Sequence, residues 1–165
     1  MELNIDVKST RELTEILAQK MIEAGKTIAT AESCTGGNIA HNITLLAGSS
    51  QYFLGSVVSY SNEVKMNVLG VNKEDLDKYG ALSQAVVESM ALGACKTIGS
   101  DFSVATSGIA GPGGGSEEKP VGTVWMATSN GAKVVSKKWI FDGNREEIIE
   151  KATKSAIFML LEIVC

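Results

Sequence analysis

One stretch, residues 27–37 with the sequence TIATAESCTGG, constrains the fold and chemistry of this chain more than any other. Small apolar and β-branched side chains at 27–31 predict a buried strand, which the polar and glycine residues after it bring to an end. A helical pattern follows at about 36–47. Unpaired amides at a helix start favour negative charge nearby. Ser33 lies at this junction and is therefore a candidate nucleophile.

Two other interpretations of this junction stay open on local sequence. Ser33 and Thr35 belong to residue types that commonly cap helices, and this structural reading is locally the favoured one. Cys34 is a second candidate nucleophile, because a thiol at a helix N-terminus can have a lowered pKa. It is equally compatible with a small residue of the core. Comparing Ser33→Ala with Cys34→Ala separates these possibilities.

Composition limits the classes of protein and partner. The 165 residues predict a single domain, 1–165, and 44% hydrophobic with 21% charged residues is ordinary for a globular chain. The net charge of −4 and the lack of a basic block argue against nucleic acid as a partner. No apolar run approaches the length of about 18 residues that a membrane helix needs.

Cysteine and histidine usage points to a cytoplasmic protein without a metal or other cofactor. Cys34, Cys95 and Cys165 are odd in number and far apart, which fits neither a disulfide framework nor a zinc site. A single histidine, His41, argues against a transition-metal site. The acidic start at 1–6 lacks the features of a signal peptide.

Apolar periodicity and turn residues predict an alternating series of helices and strands. The predicted strands are 27–31, 52–60, 101–107, 121–129 and 134–141. The predicted helices are 10–24 (after a capping box at Ser9 and Glu12), 36–47, 63–70, 72–79, 83–98 and 145–164. Asn130-Gly131 predicts a hairpin between the last two strands. The order predicts an α/β fold, with helices on both faces of a mixed, mainly parallel sheet of about five strands.

In such sheets ligands collect at the carboxyl ends of the strands. This rule predicts that three strand ends lie together at one side of the sheet. Their residues are Ser33 and Thr35 after the first strand, Tyr60, Ser61 and Asn62 after the second, and Ser107 and Gly108 after the third. A serine nucleophile needs a base, and His41 lies about 10 Å or more along the helix axis, which is a poor place for a Ser-His pair. Lys65 is the best alternative, with Tyr60 as a relay, provided that its pKa falls from about 10.4 towards 7–8. A solvated helix lysine is the locally favoured alternative.

The glycine-rich segment 108–120 holds both prolines of the chain. It has neither the pattern nor the following helix of a phosphate-binding P-loop. Its backbone amides are nevertheless able to surround a phosphate. Since long irregular loops are usually functional or disordered, a flexible surface connection is the equal alternative.

These motifs resemble the C-terminal domain of the CinA (competence/damage-inducible) family, the nicotinamide-nucleotide amidases. The resemblance covers about 13–161 and rests on AESCTGG (31–37), AGSS (47–50), SYSNEVK (59–65), GALS (80–83), SGIAGPGGGSEEKPVGTVW (107–125) and FDGNR (141–145). The family's larger members carry a further nucleotide-processing domain before this one. The chain resembles the stand-alone form.

The resemblance implies a three-layer α/β/α sandwich and hydrolysis of the carboxamide of nicotinamide mononucleotide to nicotinate mononucleotide and ammonia, in pyridine-nucleotide recycling. It also implies a homodimer or higher homo-oligomer. Ser33 matches the family's nucleophile, and Lys65 and Tyr60 match its proton-handling pair. The substrate-binding set implied by these matches and by the sheet-edge rule is Thr35, Gly36, Gly37, Ser50, Asn62, Ser107, Gly108 and Arg145.

In this hypothesis backbone amides of residues 34–37 stabilise the oxyanion, and Arg145 or the glycine loop holds the 5′-phosphate. Two rivals remain. One is a non-catalytic nucleotide-binding or interaction module linked to competence or DNA damage, which would bind ligand without releasing ammonia. The other is an amidase for a different nucleotide or amide.

Overall fold

A five-stranded sheet forms the centre of the computed structural model, which describes residues 5–165. The acidic start at 1–6, which argued against a signal peptide, lies partly outside the described residues, because these begin at residue 5. The helices are α1 (Thr10–Ala24), α2 (Asn38–Thr44), α3 (Asn62–Leu69), α4 (Lys73–Tyr79), α5 (Gln84–Ala94) and α6 (Arg145–Val164). The strands are β1 (Ile28–Glu32), β2 (Phe53–Val58), β3 (Phe102–Gly108), β4 (Thr123–Ser129) and β5 (Val134–Ile140).

The strand order across the sheet is β2-β1-β3-β4-β5. β1 pairs in parallel with β2 and β3, whereas β3–β4 and β4–β5 are antiparallel. The predicted mixed sheet is thus confirmed. Because two successive antiparallel pairings restore the original direction, four of the five strands point the same way. The carboxyl ends of β1, β2 and β3 meet at one edge.

Helices cover both faces of the sheet, as predicted. α1, α2 and α6 pack on one face around a core that includes Leu17, Ile43 and Leu160. α3, α4 and α5 pack on the other face around a core that includes Leu76 and Met90. The strands supply alternate residues to the two cores, which is why β3 reads as an almost fully buried run.

Two predicted helices are shorter in the structure. The helix predicted at 36–47 begins only at Asn38, because Gly36 and Gly37 adopt left-handed backbone with φ of 59° and 97°. The helix predicted at 83–98 ends at Ala94 and continues as one π-helical turn, Cys95–Gly99. The chain at 33–37 is therefore a turn and not the first turn of α2.

Gly93 of α5 lets α3 approach closely. A Cβ atom at this position would overlap the backbone carbonyl of Leu69, the last residue of α3. Since α3 carries Lys65, this contact helps to fix where that side chain lies.

Gly93→Ala is expected to lower the free energy of unfolding by about 1–3 kcal/mol, because overpacking outweighs the helix propensity of alanine. For a chain of this size that is a fall in Tm of about 2–4 °C per kcal/mol, measured by calorimetry. Ser89→Ala, in the same helix, is the control and should change the free energy by no more than about 0.5 kcal/mol. An unchanged or higher Tm for Gly93→Ala would show that α3 does not pack this closely.

Candidate active site

Ser33 and Lys65 form a buried hydrogen-bonded pair. Ser33 directly follows β1, and its amide continues the strand pairing by donating to the carbonyl of Thr106 at 3.0 Å. Lys65 Nζ donates to Ser33 Oγ at 3.1 Å and to the Ser59 carbonyl at 2.6 Å. Ser33 is 9% exposed and Lys65 only 1% exposed. The structure therefore brings together the predicted nucleophile and base, and the solvated-lysine alternative is wrong.

The start of α3 directs Lys65 towards Ser33. The Ser61 hydroxyl caps this helix by accepting from the amide of Val64 at 3.2 Å. Lys65 lies one turn later, and a long helical side chain points back towards the helix N-terminus. That direction returns the amine to Ser59, just beyond the end of β2.

Burial lowers the pKa of Lys65 below its usual value of 10.5. Among the ion pairs of residues 5–165 none involves Lys65, so no carboxylate partner holds its proton. An amine of lowered pKa at hydrogen-bond distance from a hydroxyl has the properties of a general base for that hydroxyl.

Cys34 is poorly suited to nucleophilic attack. Burial raises the pKa of its thiol to about 12, and the negative charge of Glu32 adds to this effect. The thiol therefore stays protonated at neutral pH, and it packs in the core beside α2. Of the two candidate nucleophiles, the electrostatics favour Ser33.

Tyr60 and Arg145 contact each other at the rim of the site. Arg145 Nη2 donates to the Tyr60 hydroxyl at 3.2 Å, and Nη1 donates to the carbonyl of Gly111 at 2.7 Å. Tyr60 is 65% exposed. Its hydroxyl has no hydrogen bond to Lys65 or Ser33, so in this conformation it is not the relay that the sequence suggested. Arg145 links the start of α6 to the glycine loop.

Two adjoining cavities meet at this rim. A cavity of about 270 Å³ is lined by Ser33, Cys34, Tyr60 and Arg145 together with residues 108–111, 113 and 114 of the glycine loop. A second cavity of about 610 Å³ shares Cys34, Tyr60 and Arg145 and extends over α2 and α6. Together they offer the volume of a small-molecule site. The serine hydroxyl opens into the smaller one.

The glycine loop packs tightly beside Ser33. A Cβ atom at Gly108 would lie 2.7 Å from the carbonyl of Thr123, and one at Gly111 would lie 2.5 Å from Val121. The loop is also tied to the end of α4, because Lys119 Nζ donates to the Tyr79 carbonyl at 2.9 Å. These contacts favour a defined cavity wall over a loose surface connection.

Other predicted binding residues divide between the site and the scaffold. Gly36 and Gly37 line the larger cavity. Thr35 is 3% exposed, and its hydroxyl donates to Glu32 Oε1 at 2.8 Å and lies 2.8 Å from the Thr106 hydroxyl. The Ser107 hydroxyl donates to the Ala81 carbonyl at 2.9 Å. The hydroxyls of Thr35 and Ser107 thus support the scaffold. Thr35 also lines the larger cavity, whereas Ser107 lines neither cavity.

Asn62 and Ser50, like Ser107, do not line the cavities described above. Asn62 is exposed at the start of α3 and lines neither cavity. Ser50 lies in the short 3-10 helix Ser49–Gln51 that precedes β2, at the opposite edge of the sheet. The length of β2 separates it from Ser33 by about 15 Å or more. The structure therefore does not bring Ser50 to this site.

Glu32 is a residue of this region that the sequence interpretation missed. Its carboxylate accepts hydrogen bonds from the amides of Ile39 and Ala40, so the first amides of α2 are not free for an oxyanion. Within the described residues the amides of Thr35 and Gly37 have no acceptor, whereas the Cys34 amide is directed at its own thiol. The signal in the sequence was an acidic residue at the end of an otherwise apolar strand.

Within residues 5–165 no helix is both long and apolar enough to cross a membrane. The same part of the chain contains no cluster of three or more histidine, cysteine, aspartate or glutamate side chains suited to a metal ion.

A buried serine–lysine pair at the carboxyl ends of the strands of a three-layer α/β/α sandwich is typical of enzymes that use a serine nucleophile. Residues 10–164 match the CinA C-terminal domain, and the chain belongs to this family. The family predicted from the motifs is thereby confirmed.

Relatives and solved structures agree with this placement. The nicotinamide-nucleotide amidohydrolase PncC of Escherichia coli K12 is 47% identical over 148 residues, with 88% of this chain and 89% of PncC covered. A CinA-like protein of Syntrophomonas wolfei is 48% identical over 148 residues, which are 90% of this chain but 36% of that protein. The chain thus spans about a third of the latter and most of the former.

The fold prediction is confirmed by crystal structures. The competence damage-inducible protein A (ComA) of Klebsiella pneumoniae superposes with a TM-score of 0.91 at 39% identity, covering 94% of this chain and 96% of its own. The competence/damage inducible protein CihA of Agrobacterium tumefaciens gives 0.91 at 39% identity, covering 98% of both chains.

Proposed function

We propose that this chain is an amidohydrolase that converts nicotinamide mononucleotide to nicotinate mononucleotide and ammonia, in pyridine-nucleotide recycling. The hydrogen bond from Lys65 to Ser33 in a buried cavity carries the proposal. The relative named nicotinamide-nucleotide amidohydrolase supports the substrate, because it matches this chain over nearly all of both lengths.

Ser33 Oγ attacks the carboxamide carbon while neutral Lys65 takes the hydroxyl proton. The tetrahedral intermediate then collapses as Lys65 delivers that proton to the departing nitrogen. Ammonia departs, and the acyl group remains bound to Ser33 as an ester. Water attacks the ester while Lys65 takes one of its protons and returns it to the serine oxygen, which restores the hydroxyl. The carboxylic acid that leaves then loses its proton to solvent. Each proton taken up by Lys65 is returned within the same half-reaction.

The developing oxyanion is stabilised by amides of the turn after Ser33. The amides of Thr35 and Gly37 lack acceptors within the described residues and are close in sequence to the nucleophile. One such donor contributes about 3–4 kcal/mol, or about 10²–10³ in rate. The left-handed glycines Gly36 and Gly37 turn the chain away and let substrate approach this backbone.

The nicotinamide ring occupies the smaller cavity and the ribose phosphate the larger one. Arg145 lies between them, and two of its five N–H donors already bond to Gly111 and Tyr60. The remaining donors bind the 5′-phosphate, for which guanidinium geometry is well matched. Tyr60 orients Arg145 in this arrangement, and its own share in proton handling requires a change from the present conformation.

Arg145→Ala is expected to raise KM for nicotinamide mononucleotide by about 10–100-fold with a smaller effect on kcat, because a charge-assisted phosphate contact is lost. The measurement is steady-state ammonia release. Nicotinamide riboside, which lacks the phosphate, is the matched substrate, and on it the variant should resemble the wild type. An equal loss on both substrates would place Arg145 in another role.

Ammonia release from nicotinamide mononucleotide by the purified protein tests the function itself. Binding without release would support the rival of a non-catalytic nucleotide-binding or interaction module. Release from a different nucleotide amide, and not from this one, would support the second rival. Mass spectrometry of the product distinguishes nicotinate mononucleotide from other outcomes.

A cytoplasmic homo-oligomer, built from single-domain chains of 1–165, is the proposed working form. Apolar side chains on the sheet-edge strand β2 and nearby are exposed, among them Leu45, Leu54 and Val58 at 54%, 47% and 47%. Such an edge is typical of an association surface. All three cysteines are unpaired, as in a reducing compartment. Sedimentation of the purified protein measures the oligomeric state, and a monomer would contradict this part of the proposal.

A further inference from the structure

We infer that Glu32 is a positioning residue, whose carboxylate fixes the 33–37 turn and so holds Ser33 and the oxyanion amides in their reactive arrangement. The inference rests on the proposed function for its kinetic consequence. The contacts themselves stand without it. Glu32 ends β1, is fully buried and does not line either cavity.

The two carboxylate oxygens have separate sets of donors. Oε1 accepts from the Thr35 hydroxyl at 2.8 Å and the Ile39 amide at 2.9 Å. Oε2 accepts from the Ala40 amide at 3.0 Å and the Thr30 hydroxyl at 3.1 Å. Ser56 of β2 lies 3.4 Å from Oε2 and 2.6 Å from the Thr30 hydroxyl. One carboxylate thus joins β1, the turn, α2 and β2.

These donors are all neutral, and no ion pair within residues 5–165 includes Glu32. A buried carboxylate without a cation is stable only when hydrogen bonds replace its hydration. The four hydrogen bonds to this one side chain come from the strand, the turn and the helix, so this arrangement is stiff. A neutral side chain of the same shape offers one acceptor oxygen where the turn and helix need two.

The contacts bracket the turn from both sides. Glu32 is the residue immediately before Ser33, while Ile39 and Ala40 come just after the turn ends. Thr35, at the middle of the turn, is held by Glu32 and also by Thr106 at 2.8 Å. Side chains alternate across a strand, so Glu32 and Ser33 point to opposite faces. The carboxylate therefore fixes the turn from the α2 side, and Ser33 is left free to meet Lys65 on the α3 side.

Glu32→Gln tests the inference. The glutamine side chain has a single acceptor oxygen, and its other terminal atom is an NH₂ group that only donates. The donors that bond to one of the two Glu32 oxygens therefore lose their acceptor. We expect kcat to fall by about 10²-fold with KM changed less than about threefold, because a displacement of about 1 Å is enough for such a loss. Hydrogen exchange at the amides of Ile39 and Ala40, followed by NMR, should be at least about tenfold faster.

Milder variants keep the test decisive if Glu32→Gln does not fold. Thr30→Val removes one hydroxyl donor to Oε2 with little change in shape, and should lower kcat by about 3–10-fold. Thr30→Ser keeps the hydroxyl and should restore most of the rate. Thr14→Val, which removes a buried hydroxyl bonded to the Thr10 carbonyl in α1, is the control for stability loss alone.

The outcomes separate this inference from the proposed function. If the wild type releases no ammonia, the proposed function fails, and exchange at Ile39 and Ala40 still decides whether Glu32 holds the turn. Unchanged exchange in the Glu32 or Thr30 variants overturns the inference. A Glu32→Gln protein that is less stable but keeps kcat within about twofold also overturns it, because Glu32 is then structural only.

Discussion

Ser33→Ala is expected to reduce ammonia release from nicotinamide mononucleotide by about 10⁴-fold or more while the protein stays folded. Alanine removes the attacking oxygen, and only binding and oxyanion stabilisation remain to accelerate the reaction. We expect the fold to tolerate the change, because the backbone bond from Ser33 to Thr106 is kept and alanine is smaller than serine. The measurements are kcat and the thermal unfolding midpoint.

Cys34→Ala is the matched control, one residue away and in the same cavity wall. Its thiol is neutral at physiological pH, so the variant should keep activity within about tenfold. The reversed result, with Ser33→Ala active and Cys34→Ala inactive, would make the thiol the nucleophile. Accumulation of an acyl-enzyme on the Ser33 peptide, seen by mass spectrometry, would directly support the proposed intermediate.

Local rules succeeded where a few neighbouring residues decide the structure. The capping box at the start of α1 is present, with Ser9 and Glu12 each accepting from the other's amide. The Asn130-Gly131 hairpin joins β4 and β5, with Gly131 at a φ of 87°. The bounds predicted for the last helix agree with α6, Arg145–Val164.

The site was predictable to the extent that it follows from topology. Ser33 and Lys65 each follow the end of a neighbouring parallel strand, so the sheet-edge rule places both at one edge. Sequence did not reveal that Lys65 is buried, because its burial depends on tertiary packing that brings its amine to Ser33, which is 32 residues away in the chain. Local sequence favoured the capping role for Ser33, and the family resemblance reversed that preference.

Glu32 and Ser50 show why the remainder needed a structure. The bonds of Glu32 reach from β2 to α2, so no spacing along the chain announces them. Ser50 belongs to a motif of the family, yet it lies before β2, at the end of the sheet opposite to the carboxyl ends of the parallel strands. A family motif therefore does not by itself determine whether each of its residues lies at the site.

Lys65→Met is expected to abolish ammonia release, with a loss comparable to that of Ser33→Ala. Methionine has a similar length but cannot accept a proton, and the two changes should be far from additive because both residues act in one step. Lys65→Arg should fail as well, since guanidinium does not deprotonate. In the wild type, kcat/KM should rise with pH and level off below the ordinary lysine pKa, because burial lowers the pKa of Lys65.

The same burial predicts how stability depends on pH. Because the pKa of Lys65 is lower in the folded protein, unfolding takes up a proton between that lowered pKa and the ordinary value of about 10.4. The stability of the wild type therefore increases with pH across this window, and Lys65→Met lacks this contribution.

In urea unfolding at pH 7 to 10, the free energy of unfolding of the wild type should therefore rise relative to that of Lys65→Met as pH increases. Lys73→Met, which replaces an exposed lysine of α4, is the control and should follow the wild type in parallel. Parallel curves for Lys65→Met would mean that the buried amine has an ordinary pKa in the folded protein. With an ordinary pKa, Lys65 would be protonated at neutral pH, and Ser33 would need another proton acceptor.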